Sequence, residues 1–319
     1  VRATDVSTPP PETGRAAQMS SIAVPGALAP RRTWLTDLPV LFVAVVWGAS
    51  YLAAKDITTA RTVIAVLVLR FAIVLPALVA VGWRSLRTLS AAQWRGAGLL
   101  GLILSVIFLL ETYGVVHTSA TNAGLIISLT MIFTPLAEAA VTRTRPSRAF
   151  LGAAALSVLG VVLLTQGGGF TQPSLGDLLM LLAALARTVH VLAMSRVKAV
   201  RGADALSLTT VQLGAAVVVF ALLATGADAT PWQTAVDFGP REWAGLLFLS
   251  VFCTLFAFFV QMWAVRRTSP SRVSLLLGTE PLWAALAGIA LGGERLGVLG
   301  LAGGALVLVG TAWGRRAAG

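Results

Sequence analysis

Charged side chains are scarce in this chain, so those that fall inside apolar runs mark where chemistry is to be sought. Arg70, Glu111, Glu138, Arg187 and Glu280 lie in or at the edge of such runs. An ionisable group at mid-depth in a bilayer costs roughly 2.5–3.5 kcal/mol on insertion scales, so it faces a partner or a wet cavity. Arg70 and Arg187 each offer a planar fork suited to a carboxylate. Glu280 suits an amine, or takes up a proton when its surroundings dry. The competing reading is an internal Arg–Glu pair that only joins helices. Glu111 and Glu138 sit near run ends, where snorkelling or a surface partner is favoured over a functional role. Arg187 and His190 are three apart and share a helical face. An imidazole titrates near neutral pH, so His190 could relay protons or could simply be packed and hydrogen-bonded. Asn122 is the only asparagine in the chain. Asn122, Gln212 and Gln261 could bond a substrate, or join helices as amides do in membranes. Trp47 could wall a cavity or pack.

Other chemistries find little support. The single cysteine, Cys253, allows no internal disulfide, and the two histidines, His117 and His190, are far apart in sequence. No metal or other cofactor is expected. Gly96-Ala97-Gly98-Leu99-Leu100-Gly101 satisfies the dinucleotide pattern GxGxxG but opens an apolar run, without the strand that such a loop needs. No phosphate-binding Walker loop is present, and neither nucleotide nor nucleic acid is expected as a partner. The net charge of +11 comes from arginines clustered between apolar runs, as in cytoplasmic loops, rather than from one basic stripe.

The elements that must position these residues follow from composition. Of 319 residues, 57% are hydrophobic and 12% charged, and mean hydropathy is +0.85. A soluble globule needs a polar skin that this chain cannot supply. The expected fold class is an all-α polytopic membrane protein. Ten apolar runs fall at 38–54, 62–82, 96–115, 119–141, 149–166, 176–195, 205–225, 243–264, 272–291 and 296–313. They are continuous rather than alternating, so they read as helices and not as barrel strands. Residues 1–36 read as a disordered cytoplasmic tail without a signal-peptide core. With that tail inside, alternate breaks hold sixteen basic residues (Arg31, Arg32, Arg84, Arg87, Arg95, Arg143, Arg145, Arg148, Arg196, Lys198, Arg201, Arg266, Arg267, Arg272, Arg315, Arg316). The outer breaks hold four: Lys55, Arg61, Arg241 and Arg295. The bias puts both termini in the cytoplasm.

Two parts of the chain resemble each other. At an offset of 150, Thr118-Ser119-Ala120 faces Thr268-Ser269-Pro270, Glu111 faces Gln261, Tyr113 faces Trp263 and Gly160 faces Gly310. At an offset of 140, Asp37 faces Asp177. The expected division is 37–166 and 174–314, five helices each. Because five is odd, the second copy enters the membrane from the opposite side, as in carriers built from inverted repeats. Glu280 lies about 12 Å from Arg272 at the helical rise. Pro281 beside it, and Pro135 in the first copy, are expected to kink their helices.

The chain resembles the EamA type of the drug/metabolite transporter superfamily. The resemblance rests on Trp47-Gly48-Ala49-Ser50, Leu69-Arg70-Phe71, Thr118-Ser119-Ala120-Thr121-Asn122-Ala123-Gly124, Phe133-Thr134-Pro135, Thr268-Ser269-Pro270-Ser271-Arg272, Glu280-Pro281 and Gly293-Glu294-Arg295-Leu296. In the first copy Arg143-Thr144-Arg145-Pro146 stands where the second has Gly-Glu-Arg-Leu, so the halves are unequal. The resemblance implies a ten-helix carrier of a bacterial inner membrane with a central cavity, exporting amino acids or related small molecules. Its expected partners are that substrate, the lipid bilayer and, as an open option, a second copy of itself. Two other readings stay open: an intramembrane enzyme acting on a lipid-linked substrate, and a receptor or structural protein without transport.

Overall fold

The computed structural model describes residues 34–164, 173–200, 202–267, 273 and 276–318. The expected tail up to residue 33, the stretch Thr268-Ser269-Pro270-Ser271-Arg272, and Arg201 lie outside the described residues, while residues 34–36 already belong to the first helix.

The described residues form helices and no strands. They are α1 (Trp34–Ile57), α2 (Val63–Leu86), α3 (Ala91–Val116), α4 (Ala120–Ile127), α5 (Thr130–Thr142), α6 (Arg148–Leu164), α7 (Leu175–Arg196), α8 (Ala205–Ala224), α9 (Pro231–Asp237), α10 (Pro240–Leu247), a π-helical stretch (Phe248–Phe256), α11 (Ala257–Arg267), α12 (Glu280–Ala290) and α13 (Val298–Ala318). Local chemistry sets several starts. Ser90 and Gln93 form a capping box at α3, as Ser174 and Asp177 do at α7. Asp204 accepts from the Ser207 N–H at α8. Each satisfies backbone donors that a helix start leaves free. Among the described residues, seven helical segments are long and apolar enough to cross a membrane, and two more apolar ones, Arg148–Leu164 and Val298–Gly314, are shorter.

Three expected runs differ in detail. The run at 119–141 is two helices with a break at Ser128–Leu129. There the Ser128 and Thr130 hydroxyls donate to the carbonyls of Leu125 and Ile127 at 2.6 and 2.8 Å, in competition with the backbone ladder. Pro135, the expected kink, lies inside α5, and a further interruption precedes that helix. At Pro281 the helical run is interrupted just before the proline. It is the second residue of α12, where its missing N–H costs nothing, and the interruption is the turn Gly278–Thr279. The run at 243–264 is split by the π-helical stretch, whose ring of one extra residue no apolar periodicity reveals. The short helix α9 falls in a stretch that reads as a break.

Packing joins the two halves. α3 packs on α7 and α8, α2 on α8, α1 on α12, α4 on α12, and α6 on α13. The α6–α13 pair comes closest. A Cβ on Gly160 would sit 2.6 Å from the Val307 backbone nitrogen, and one on Gly310 would sit 2.8 Å from that of Ser157. These glycines let the two backbones touch, the way helices gain contact where lipid gives no hydrophobic drive between them. Phe71, Phe108 and Phe220 stack in the core at centroid distances of 4.5 and 6.2 Å. Leucines and valines cover the outside, among them Leu99, Leu102 and Val106 on α3 and Leu178, Leu182 and Val189 on α7. In water such a surface would aggregate; in lipid it is the matching one.

Candidate functional site

A cavity of about 320 Å³ opens inside the bundle. Its walls come from both halves: Trp47, Ser50 and Tyr51 of α1, Arg70 of α2, Phe108 and Glu111 of α3, Thr130 of α5, Arg187 and His190 of α7, Cys253 and Thr254 of the π-helical stretch, Phe258 of α11, and Glu280 of α12. Helix breaks serve this site directly. Thr130 is the first residue of α5 and Glu280 the first of α12, so both wall residues stand where a helix restarts. The two positions are 150 apart, the offset of the sequence repeat. The π-helical stretch carries Cys253, whose carbonyl accepts the Trp47 indole N–H at 2.8 Å. That bond fixes the indole plane against the cavity.

The charges are arranged unequally. The Arg187 Nε donates to Glu111 Oε1 at 2.5 Å. The Tyr51 hydroxyl donates to Glu280 Oε1 at 2.8 Å. His190 Nε2 and Gln212 Oε1 are 2.9 Å apart, which fixes the imidazole from behind. Arg70 differs. Its guanidinium stands 5.1 and 5.8 Å from the ring centroids of Phe71 and Phe108. Its Nε is buried and has no hydrogen-bond partner, and no ion pair reaches it among the described residues. Ring faces offer a buried cation about 0.5–2 kcal/mol, while an unmade hydrogen bond on a buried donor costs about 1–3 kcal/mol. Arg70 is therefore the point where an anionic guest gains most. Chemically the cavity can hold a carboxylate and, against two glutamates, an ammonium. Among the described residues, no three His, Cys, Asp or Glu side chains gather so as to hold a metal ion.

Six residues singled out in the sequence, Trp47, Arg70, Glu111, Arg187, His190 and Glu280, meet in this one cavity. Gln212 stands behind His190 rather than on the wall. Asn122 lies elsewhere: its side chain donates to Asp177 Oδ1 at 3.2 Å and joins α4 to α7. Glu138 is exposed, as its position near a run end suggests. Glu111 is not a snorkelling surface group but part of the wall. Distance from a helix end measures depth, whereas pairing depends on the direction in which the side chain leaves the axis. Tyr51, one turn after Trp47 on the same face, was the available signal for a second wall residue of α1.

One end of the bundle is closed by a polar cluster that sequence reasoning missed. Glu294 accepts from the backbone N–H groups of Ala120 at 2.6 Å and Thr121 at 3.0 Å, so a carboxylate of the second half caps α4 of the first. The Thr118 hydroxyl donates to Asp177 at 2.5 Å, and Lys55 donates to the Thr118 carbonyl. Arg241 and Asp56 form an exposed pair at 3.4 Å.

A bundle of apolar helices around a charged cavity defines a polytopic membrane protein. The family model described as "EamA-like transporter family" matches twice, at residues 34–166 and 174–313, and the chain belongs to that family. An uncharacterized transporter of Archaeoglobus fulgidus is 25% identical over 259 residues, 79% of this chain and 87% of that one. The uncharacterized transporter YcxC of Bacillus subtilis is 27% identical over 213 residues, 65% of this chain and 68% of its own. A solved crystal structure superposes with a TM-score of 0.59 at 20% identity, over 88% of this chain and 96% of that one; this likeness concerns the fold alone.

Proposed function

We propose that the protein is a secondary transporter that moves a small zwitterionic metabolite, of the amino-acid class, by alternating access. The observation that carries this reading is Arg70, a cation without a polar partner in a cavity walled by both halves. A substrate carboxylate supplies the missing acceptor, and Glu280 and Glu111 receive the ammonium. A volume of about 320 Å³ is at the small end of ligand sites. Trp47, Phe108 and Phe258 leave room for an apolar side chain between them.

Ten membrane helices in two inverted sets of five account for the packing. Exchanging the halves maps the contact of α3 with α7 onto that of α11 and the π-helical stretch with α1, while α2–α8, α4–α12 and α6–α13 pair each helix with its counterpart. Such a body has two related arrangements, one open to each side. The polar cluster of Glu294, Asp177 and Lys55 closes the outer end and must part for release. The membrane is the inner membrane of a bacterium, with both termini cytoplasmic, and export is the direction. Energy comes from the substrate gradient or from a proton carried on Glu280 or His190.

The test is flux into proteoliposomes from a panel of amino acids and metabolites. Arg70→Ala and Glu280→Gln are each expected to lower uptake at least about tenfold, the worth of one charge-assisted hydrogen bond. Full uptake by the double variant overturns the site. Uptake indifferent to an imposed pH gradient selects uniport over proton coupling.

A further inference from the structure

A second cavity of about 700 Å³ lies between α2, α3 and α8, away from the charged one. Its floor is apolar and made low by glycine. A Cβ on Gly98 would meet nothing within 4 Å, and one on Gly214 would meet only the Leu75 side chain at 3.9 Å. Leu75, Val79 and Val218 continue the floor. At one end stand Trp83, Arg87 and Trp94, at the turn between α2 and α3. The Arg87 guanidinium lies 6.0 Å from the Trp83 ring centroid, and among the described residues it has no ion pair. From Arg87 to Leu75 the groove runs roughly 18 Å at the helical rise, about the reach of one lipid tail.

The geometry points to a binding site for one anionic phospholipid, with its phosphate on Arg87 between the two indoles and one acyl chain laid over Gly98 and Gly214. Charge complementarity selects this occupant. An unpaired cation at the mouth of an apolar trough asks for an anionic head joined to a hydrocarbon tail, and indole rings favour the headgroup level of a bilayer. A neutral lipid fills the trough and leaves Arg87 unmet; a free phosphate meets Arg87 and leaves the trough empty. The floor residues belong to α2 and α3 of the first half and α8 of the second, so the lipid lies across the seam between the halves.

Native mass spectrometry of the full chain, released from micelles holding phosphatidylglycerol and phosphatidylcholine in equal amounts, tests this. One tightly held phosphatidylglycerol is expected, with a preference of at least about tenfold over phosphatidylcholine. Arg87→Ala is expected to abolish that preference, and Arg87→Lys to keep part of it. Arg84→Ala, on a neighbouring exposed residue that does not line the groove, is expected to keep it whole. Gly98→Leu fills the trough and is expected to lose the bound lipid while the melting temperature holds, because its side chain grows into open space. Equal retention of the two lipids by the unchanged protein, an equal loss in Arg84→Ala, or a lipid still held by a folded Gly98→Leu protein each overturns the site.

Discussion

Arg187 and Glu111 test what a charge pair inside this bundle is for. They touch at 2.5 Å, and the Arg187 side chain keeps 36% of its surface open to the cavity against 12% for Glu111. The pair lies between the surface and the deep interior in its energetics. Arg187→Met is expected to cost about 2 kcal/mol, between the limits for exposed and buried pairs, because it leaves the mostly buried Glu111 unmatched. The double change Arg187→Met with Glu111→Leu is expected to recover that stability, since neither charge is then stranded. It is not expected to recover transport, since the guest loses one of its acceptors. Unfolding followed by circular dichroism, beside flux, separates the two roles. A double variant as unstable as the single one contradicts the pairing argument. Arg70 gives the opposite pattern: with no polar partner to strand, Arg70→Ala is expected to lose flux with little change in melting temperature.

Among the elements, α4 depends on a partner from the other half. It has eight residues, below the length at which a helix is stable alone. Its first donors are met from two sides. The Ser119 hydroxyl accepts from the Asn122 N–H at 2.9 Å, and Glu294 takes those of Ala120 and Thr121. Glu294→Ala is expected to cost about 1–2 kcal/mol, the range of a lost cap together with its charge at a helix start. Hydrogen exchange at Ala120 and Thr121 is expected to quicken, while exchange in α6 and α13, fastened through Gly160 and Gly310, stays slow. Unaltered protection at the α4 start contradicts the capping role. Glu294→Gln keeps an acceptor and is expected to fall between.

Across the whole molecule, inversion makes a prediction that single helices do not. Thr88 follows α2, and Asp228 follows α8, the helix that corresponds to α2 in the second half. If the halves are inverted, these equivalent positions face opposite compartments. In a Cys253→Ala background, Thr88→Cys is expected to react with an impermeant thiol reagent from the cytoplasmic side and Asp228→Cys from the outer side. Reaction of both from one side contradicts the inverted arrangement and, with it, the alternating mechanism. Ser50→Cys in the same background reports on the cavity itself: its labelling is expected to slow when transported substrate is present.

Read alone, the sequence determined that this is a helical membrane protein. Hydropathy and the cost of unpaired backbone in lipid act along the chain and need no tertiary contact. The same is true of the repeated segments and of the costly charges at Arg70, Arg187 and Glu280, because each is a matter of residue type and position in a run. Tertiary structure decided which of these residues share a space. It placed Glu111 on Arg187, Tyr51 on Glu280, Glu294 on the start of α4, and Asn122 on Asp177 outside the cavity. It also decided where helices break, at Ser128–Leu129 and at Gly278–Thr279. Depth in a bilayer can be counted from a span end, but the direction of a side chain about its helix axis becomes a contact only when a second helix is packed against it.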